Sequence, residues 1–509
     1  MVVELAAVRL LAPWFGTSLL VWTNVIAVIL LALALGYLIG GRLAARPAPL
    51  ALLSWLLGAA ALLVAWLPTL GAACARLFLP PQLALHEAVE LVGWGSLAVA
   101  LIVFLPPAAL LGTVSPLVAE SLARARGDSA GRAGGLVLSV STLGSLAGVF
   151  GTSHWLLPVL GLQRTFLLAG AGLLGAALSA RLQAGRGARA GLVVLALLGA
   201  SAAAVTPARP ALAPGLVELA RVESPYQTVR AVEDRERGLR LLQVNESFDS
   251  FQSVWQASPG PLPEGFYYND FLLPLRWADS VRPWRMLVLG LGAGTVVRVF
   301  EGAAEVELES TGVELDPAVV RLAEQHFDLR SEPPRRAVWA GIDARVALRV
   351  APGPFEHIVL DCYSNQIEIP PHLCTREFFE AARARLAPGG WLTANLGGFS
   401  FDDPVVRTVA GTCATAFAAP VLLVRVPQSR NFVLLARRDA SLPWSAEHGW
   451  SPSVREGLPL GPRVLPGFAC LVPPLEDALS DDRCPIERLQ LRSLREARAR
   501  HTHAAGGEG

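Results

Sequence analysis

Residues 286–316 read MLVLGLGAGTVVRVFEGAAEVELESTGVELD, and three glycines in this stretch, Gly290, Gly292 and Gly294, could do chemistry through their backbone. They stand where the apolar run Met286–Leu289 gives way to a helical pattern over Thr295–Phe300. Glycine lets the chain turn tightly and approach a ligand with no Cβ in the way, and a helix start offers free N–H groups to polar ligands. Glu314 follows at about the distance at which such folds set an acid against ribose hydroxyls. A dinucleotide fingerprint would carry glycine where this chain has Thr295, and the GxGxG pattern is commoner in S-adenosylmethionine-type sites. Two further acids, Asp343 after Gly341-Ile342 and Asp361 after the apolar run Phe355–Leu360, fall at the same kind of place. Asp343 is a candidate acceptor from a base's exocyclic amine.

These residues must be positioned by alternating strands and helices. Glu305–Val313 reads as a strand and Pro317–His326 as a helix capped by Asp316. Strands around Arg336–Trp339 and over Phe355–Leu360 follow, then a helix at Ala381–Leu386 and a strand at Trp391–Asn395. Such alternation predicts right-handed crossovers and a parallel, Rossmann-like sheet, with ligands outside the carboxyl ends of its strands. Upstream, Val217–Gln256 alternates polar and apolar residues around a turn at Arg235–Gly238, the pattern of a small antiparallel sheet.

The 509 residues are 53% hydrophobic and 17% charged, with a mean hydropathy of +0.45. The apolar excess lies before about Thr206, in seven stretches: Val2–Leu11, Val21–Gly40, Leu50–Leu70, Leu91–Leu111, Leu136–Leu160, Thr165–Ala180 and Gly191–Val205. A spanning helix needs about 20 apolar residues, so the first, sixth and last are marginal. The fold class expected is a multi-pass α-helical membrane domain (1–206), a linker (207–216), a small β-domain (217–280), a Rossmann-like methyltransferase-type domain (281–440) and a C-terminal extension (441–509) whose arginine- and glycine-rich end after Arg492 is disordered. No cleavable signal peptide is expected. Loop arginines at 42, 46, 124, 126, 132, 181, 186 and 189 mark one side as cytoplasmic. A spanning seventh stretch would put the soluble region outside, and a re-entrant one would keep it inside. Glu4 and Arg9 should pair within the helices or at the interface. Pro106, Pro107 and Pro116 predict a kinked helix, and Gly144, Gly148 and Gly151 a close helix contact.

The net charge of +1 and the absence of a basic stripe exclude a nucleic-acid surface. Lysine is absent, which excludes Schiff-base and P-loop chemistry. The six cysteines form no CxxC pattern and predict no metal site. They read as free thiols, with Cys470–Cys484 the pair to consider in an oxidising space. Asp481, Asp482 and Glu487 form an acidic cluster that is either a helix cap or a flap over the pocket, and His372 is either a base or a loop histidine bonded to backbone.

SPYQ at 224–227, YYND at 267–270, LVLGLGAGTV at 287–296, VELD at 313–316 and TREFFEAARARLAPGGWL at 375–392 resemble the spermidine synthases, the polyamine aminopropyltransferases. RLLAPWFGTS at 9–18 and ALGYLIGGRLA at 34–44 resemble the membrane-fused branch of that family. The resemblance implies a small β-sheet leading into a seven-stranded Rossmann-like domain, often dimeric, located in the cell membrane. It implies transfer of an aminopropyl group from decarboxylated S-adenosylmethionine to a small amine, with no metal. Carried over residue by residue, Gly290, Gly292, Gly294, Glu314, Asp343 and Gln227 would bind the co-substrate and Tyr268 and Gln227 the acceptor, while Asp361 and Asp270, with Tyr363 as a hydrogen-bond partner, are the first candidates to serve catalysis in place of family acids that this chain lacks. Two family acids are replaced, by Ala293 in the glycine loop and by Ser364. Another S-adenosylmethionine-dependent transferase, or a transporter with a ligand-binding synthase-like domain, is therefore also open.

Overall fold

The computed structural model describes residues 1–15, 19–78, 91–184, 190–205, 212–244, 251–277, 283–303, 307–363, 369–439, 441–445, 449–450 and 466–505. It divides into two compact units, one of residues 1–211 with 223–228 and 245–247, the other holding the remainder.

The first unit is helical: α1 (Val2–Phe15), α2 (Leu19–Ala44), α3 (Pro49–Phe78), α4 (Ser96–Val103), α5 (Leu105–Gly112), α6 (Val114–Arg126), α7 (Ala130–Gly151), α8 (Gly161–Gln183) and α9 (Ala190–Ser201). Four helical runs among the described residues are long and apolar enough to cross a membrane, namely Leu20–Ala44, Pro49–Phe78, Leu105–Arg126 and the 54-residue Ala130–Gln183. Helix α1, with 14 residues and an internal Pro13, falls short of the roughly 20 residues a span requires. Glu4 takes the chain's amino terminus at 3.2 Å, and Arg9 donates to the Ser224 carbonyl. The helix through the expected prolines is interrupted at Phe104 and at Thr113, both still in the right-handed helical region. Prolines 106 and 107 lack the N–H groups that would carry the helix through.

The close helix contact is not where the sequence suggested it. Gly144 and Gly151 face open space, and a Cβ on Gly148 would meet Met1 and Val2 at the start of α1, at 3.3 Å and beyond. A Cβ on Gly36 of α2 would instead lie 2.3 Å from the Ala109 carbonyl of α5, and one on Gly112 would lie 2.8 Å from the Leu33 carbonyl.

The second unit carries two main sheets. The smaller has the order β1 (Leu216–Glu223), β2 (Thr228–Asp234), β3 (Leu239–Val244), β4 (Ser253–Trp255). The larger is built from β5 (Trp284–Leu289), β6 (Leu308–Glu314), β7 (Arg336–Ala340), β8 (Phe355–Leu360), β9 (Leu386–Gly397), β10 (Val421–Arg425) and β11 (Asn431–Arg437), with β12 (Trp444–Ser445) and β13 (Gly449–Trp450) forming a separate ladder and β14 (Ala469–Val472) returning to the main sheet. Its order is β14-β10-β11-β9-β8-β5-β6-β7. Pairing is parallel from β7 through β9 and antiparallel from β9 to β14. The sheet is thus mixed, not parallel throughout as the alternation predicted, and the C-terminal extension adds its eighth strand. Met286 and Val288 of β5 pack into one core, and Leu287 and Leu289 into the other. A central parallel strand covered on both faces reads as an unbroken apolar run.

Helices α10 (Thr295–Ala303), α11 (Pro317–His326), α12 (Ala344–Val350), α13 (Arg376–Arg385), α14 (Pro404–Phe417) and α15 (Ile486–Ala505) complete the unit. The segment expected at Ala381–Leu386 as a helix is α13, which starts earlier at its Thr375 cap. The described residues after Arg492 continue the helix α15 to Ala505, with Leu494 and Ala497 buried, and 506–509 lie outside the described residues.

Gly36→Ala is expected to force α2 from α5 and lower thermal stability by about 1–3 kcal/mol, whereas Gly144→Ala should leave it unchanged or slightly raised. Equal melting temperatures for the two variants would contradict this packing.

Candidate functional site

The glycine loop joins β5 to α10 and is held from two sides. Gly290 has φ +87°, and a Cβ there would lie 2.2 Å from the Asp361 carbonyl. Only glycine lets the ends of β5 and β8 approach this closely. From the small sheet, Ser253 Oγ accepts from the Ala293 amide at 2.9 Å. Thr295 bonds both the amide and the carbonyl of Val254, at 3.0 and 2.9 Å. Thr295, which separates this loop from a dinucleotide fingerprint, is therefore the tie between helix α10 and strand β4. Ala293, standing where the family carries an acid, is buried with its amide already satisfied by Ser253.

Three carboxylates occupy the carboxyl ends of neighbouring strands. Glu314 ends β6, its two oxygens accepting from the Gly292 amide at 3.0 Å and the Asp316 amide at 3.1 Å. Burial raises its pKa above the usual carboxylate value, against those two N–H bonds. Asp343 follows β7. One oxygen caps α12 through the Arg345 and Val346 amides, and the other meets His372 Nε2 at 2.9 Å. Asp361 follows β8. The Cys362 thiol is pushed well above its ordinary value by burial and then by the charges of Glu314, Asp361 and Asp343, so all three acids act on one point.

Asp361 is the most elaborately held. Tyr267 Oη donates to both carboxylate oxygens, at 3.1 and 2.9 Å, and Asn395 Nδ2 donates to Oδ1 at 3.0 Å. Burial of the carboxyl raises its pKa to about 6, and the Asn395 and Tyr267 hydrogen bonds oppose that rise. A buried carboxyl poised there can exchange a proton near neutral pH. Behind it runs a directional relay. Asn431 Nδ2 donates to Asn395 Oδ1 at 2.7 Å, and Ser429 Oγ donates to Asn431 Oδ1 at 2.7 Å. Each bond fixes which way the next amide faces, so that Asn395 presents its N–H group to Asp361. Ser429, Asn431 and Tyr267 also line a cavity of about 920 Å³, together with Phe251, Phe266 and Arg425.

The other sequence candidates take different places. Tyr268 is buried and its hydroxyl donates to the Gln252 carbonyl at 2.8 Å, so the tyrosine on Asp361 is its neighbour Tyr267. Tyr363 donates to the Asn395 carbonyl at 3.0 Å and accepts from the Gly397 amide at 2.8 Å, anchoring the loop after β8 to β9. Asp270 is wholly buried in the 3₁₀ stretch Tyr267–Trp277. Gln227 closes the turn between β1 and β2, with main-chain bonds to Ser224. Ser364 lies outside the described residues. Tyr267, Asn395, Asn431 and Ser429 were missed by sequence reasoning. The YY pair was the one available signal for the first of them.

Asn395→Leu removes a hydrogen bond to the ionised carboxylate and should move Asp361's ionisation upward from about 6 by roughly one pH unit or more. Asn431→Ala, which frees the Asn395 amide to turn, should move it the same way by less. Infrared titration of ¹³C-aspartate-labelled protein, differenced against Asp361→Asn, reads both, and an unmoved midpoint in Asn431→Ala would dismiss the relay. Because burial raises this pKa in the fold, Asp361's contribution to stability is fullest below about pH 4 and is lost as pH rises through about 6. Asp361→Asn should therefore melt with less loss than wild type between pH 5 and 8.

No protein-family model matches the chain. It is 29% identical over 218 residues to a probable polyamine aminopropyl transferase of Bifidobacterium longum, covering 42% of this chain and 46% of that one. It is 37% identical over 119 residues to a polyamine aminopropyltransferase of Vibrio vulnificus, covering 22% and 38%. The chain thus spans under half the length of either relative. With polyamine aminopropyltransferase 1 of Streptomyces coelicolor it shares 27% identity over 470 residues, covering 87% of this chain and 82% of that one. A solved probable spermidine synthase from Corynebacterium glutamicum is 24% identical, with a TM-score of 0.38, covering 46% of this chain and 88% of that structure. In sequence, the chain is similar to polyamine aminopropyltransferases, and its similarity to the Streptomyces coelicolor protein is too long to be confined to the α/β unit.

Proposed function

We propose that this protein is a membrane-anchored aminopropyltransferase, moving an aminopropyl group from decarboxylated S-adenosylmethionine to a small amine. The observation that carries the reading is Asp361, a buried carboxylate with a pKa of about 6, backed against Gly290 of the glycine loop and gripped by Tyr267 and Asn395. An amine attacks only through a free lone pair, so one acceptor proton must be lost. Asp361 takes that proton, directly or from the product ammonium. The nitrogen bonds to the methylene next to the sulfonium, the carbon–sulfur bond breaks, and its electron pair stays on sulfur as methylthioadenosine leaves. Glu314 faces the ribose hydroxyls and Asp343 the adenine amine. The cavity beside Tyr267 and Asn431 receives the acceptor. Membrane anchoring is supported by the four long apolar runs and by outward leucines such as Leu30, Leu38, Leu138 and Leu143, each 60–64% exposed.

A second reading, transfer of another group from S-adenosylmethionine, is favoured by one observation. The buried Ala293 offers no acid to a charged aminopropyl end. Calorimetry distinguishes the two, since tighter binding of S-adenosylmethionine than of its decarboxylated form would support the second.

Purified protein supplied with decarboxylated S-adenosylmethionine and a panel of di- and polyamines should release methylthioadenosine, with an acid limb near pH 6 in kcat/KM. Asp361→Asn should reduce turnover by about 10²-fold or more. Absence of turnover with every amine would overturn the proposal.

A further inference from the structure

The turn before α15 reaches back to the loop that leads from Asp361 into α13, and its contacts form a clamp. Asp481 takes Arg345 through both carboxylate oxygens, at 2.7 and 2.5 Å, and accepts from the Thr375 hydroxyl at 2.7 Å. The Asp481 amide donates to Glu377 at 3.0 Å, and the Arg376 amide donates to the Leu479 carbonyl at 2.8 Å. At the centre of this clamp Cys374 and Cys484 bring their sulfurs to 3.6 Å, although they lie 110 residues apart in sequence. Both thiols also reach the Pro371 carbonyl, at 3.3 and 3.4 Å. All six cysteines are free thiols, and the pair that sequence reasoning considered, Cys470 with Cys484, is not the one brought together. Cys470 lies on β14, opposite Leu423.

We propose that Cys374 and Cys484 are a thiol–disulfide pair, a modification site whose oxidation locks residues 479–485 across the loop that holds His372 against Asp343. The sulfurs already lie in van der Waals contact at 3.6 Å, from which they must close to the bonding distance of about 2.05 Å. Cys484 is half-buried and its thiol is lowered below its ordinary value by the Cys374 hydrogen bond, whereas Cys374 is buried and raised. Cys484, half-buried where Cys374 is buried, is the thiol a dissolved disulfide reaches first and is the attacking one. The oxidant is a low-molecular-weight disulfide. Cys484 sulfur attacks it, releasing one thiol and leaving a mixed disulfide. Cys374 then loses its proton and attacks the Cys484 sulfur, and the second thiol leaves. The two cysteines give up two electrons and two protons, which the oxidant carries away as two thiols.

The consequence reaches the candidate site through His372, two residues before Cys374, whose ring occupies one oxygen of Asp343. With the disulfide closed, the loop cannot swing away from α12. The clamp then persists even where Arg345 and Asp481 are screened by salt.

The full-length protein, purified in detergent, would be equilibrated in glutathione buffers of graded redox potential, quenched in acid, alkylated and digested with trypsin. A reversible crosslink should appear between the peptide ending at Arg376 and residues 484–488, absent in Cys374→Ala. The oxidised wild type should melt roughly 5–10 °C above the reduced form, a gap that vanishes in Cys484→Ala. Independent alkylation of Cys374 and Cys484 at every potential, or a crosslink from Cys484 to Cys470, would overturn the pairing. A crosslink without a melting shift would overturn the lock. Neither readout requires turnover, so failure of the proposed transferase activity would leave this test intact.

Discussion

A carboxylate enclosed by protein is expensive unless its charge is met by donors, and Asp361 sets that constraint on everything around it. Tyr267 and Asn395 supply three short contacts to its two oxygens, yet burial still prevails and holds the group near pH 6. Each donor comes from a different part of the second unit. Tyr267 comes from the 3₁₀ stretch after the small sheet, and Asn395 from β9. The acid itself is carried by β8, whose next residue after Leu360 is already off the strand. Moving any of these elements would strand a charge.

The mixed sheet follows from the same requirement. Asn395 can present its N–H group only because Asn431 faces it from β11, the antiparallel neighbour of β9, in a register that sets Val433 opposite Asn395 and Asn431 opposite Gly397. A parallel addition at that edge would bring a different residue to the amide. On the other side, the glycine loop is tied to β4 by Ser253 and Thr295, so the small sheet belongs to the architecture of the loop. Ser253 fills the space at Gly292, where a Cβ would lie 2.3 Å from its hydroxyl.

Much of this was legible in the sequence because central strands buried on both faces write themselves as apolar runs. MLVL was found with the glycine loop at its end and FEHIVL with Asp361, and Asp316 and Pro317 marked the start of α11. What was not legible depends on tertiary pairing. Tyr267 and Tyr268 are adjacent and chemically alike, and only the phase of the 3₁₀ stretch decides which hydroxyl reaches Asp361. Asn395 and Asn431 are 36 residues apart and meet through strand register. The Gly36–Gly112 approach was missed although Gly36 and Gly40 of α2 stand four apart and a Cβ on either would crowd the segment from Ala109 to Thr113, while Gly144 and Gly151 face open space. Helix α15 was hidden by an arginine-rich composition that suits disorder, although Ile486, Leu489 and Leu494 give it a buried side.

The central claim is that Glu314, Asp343 and Asp361 together frame an adenosyl group with its sulfur turned toward Asp361. A structure of the full-length protein determined with methylthioadenosine tests this most directly. The account predicts the ribose hydroxyls on Glu314, the adenine amine on Asp343, and the sulfur on the side of Asp361 and Tyr267. A nucleoside bound elsewhere, with the Glu314 oxygens still turned only to the Gly292 and Asp316 amides, would contradict it.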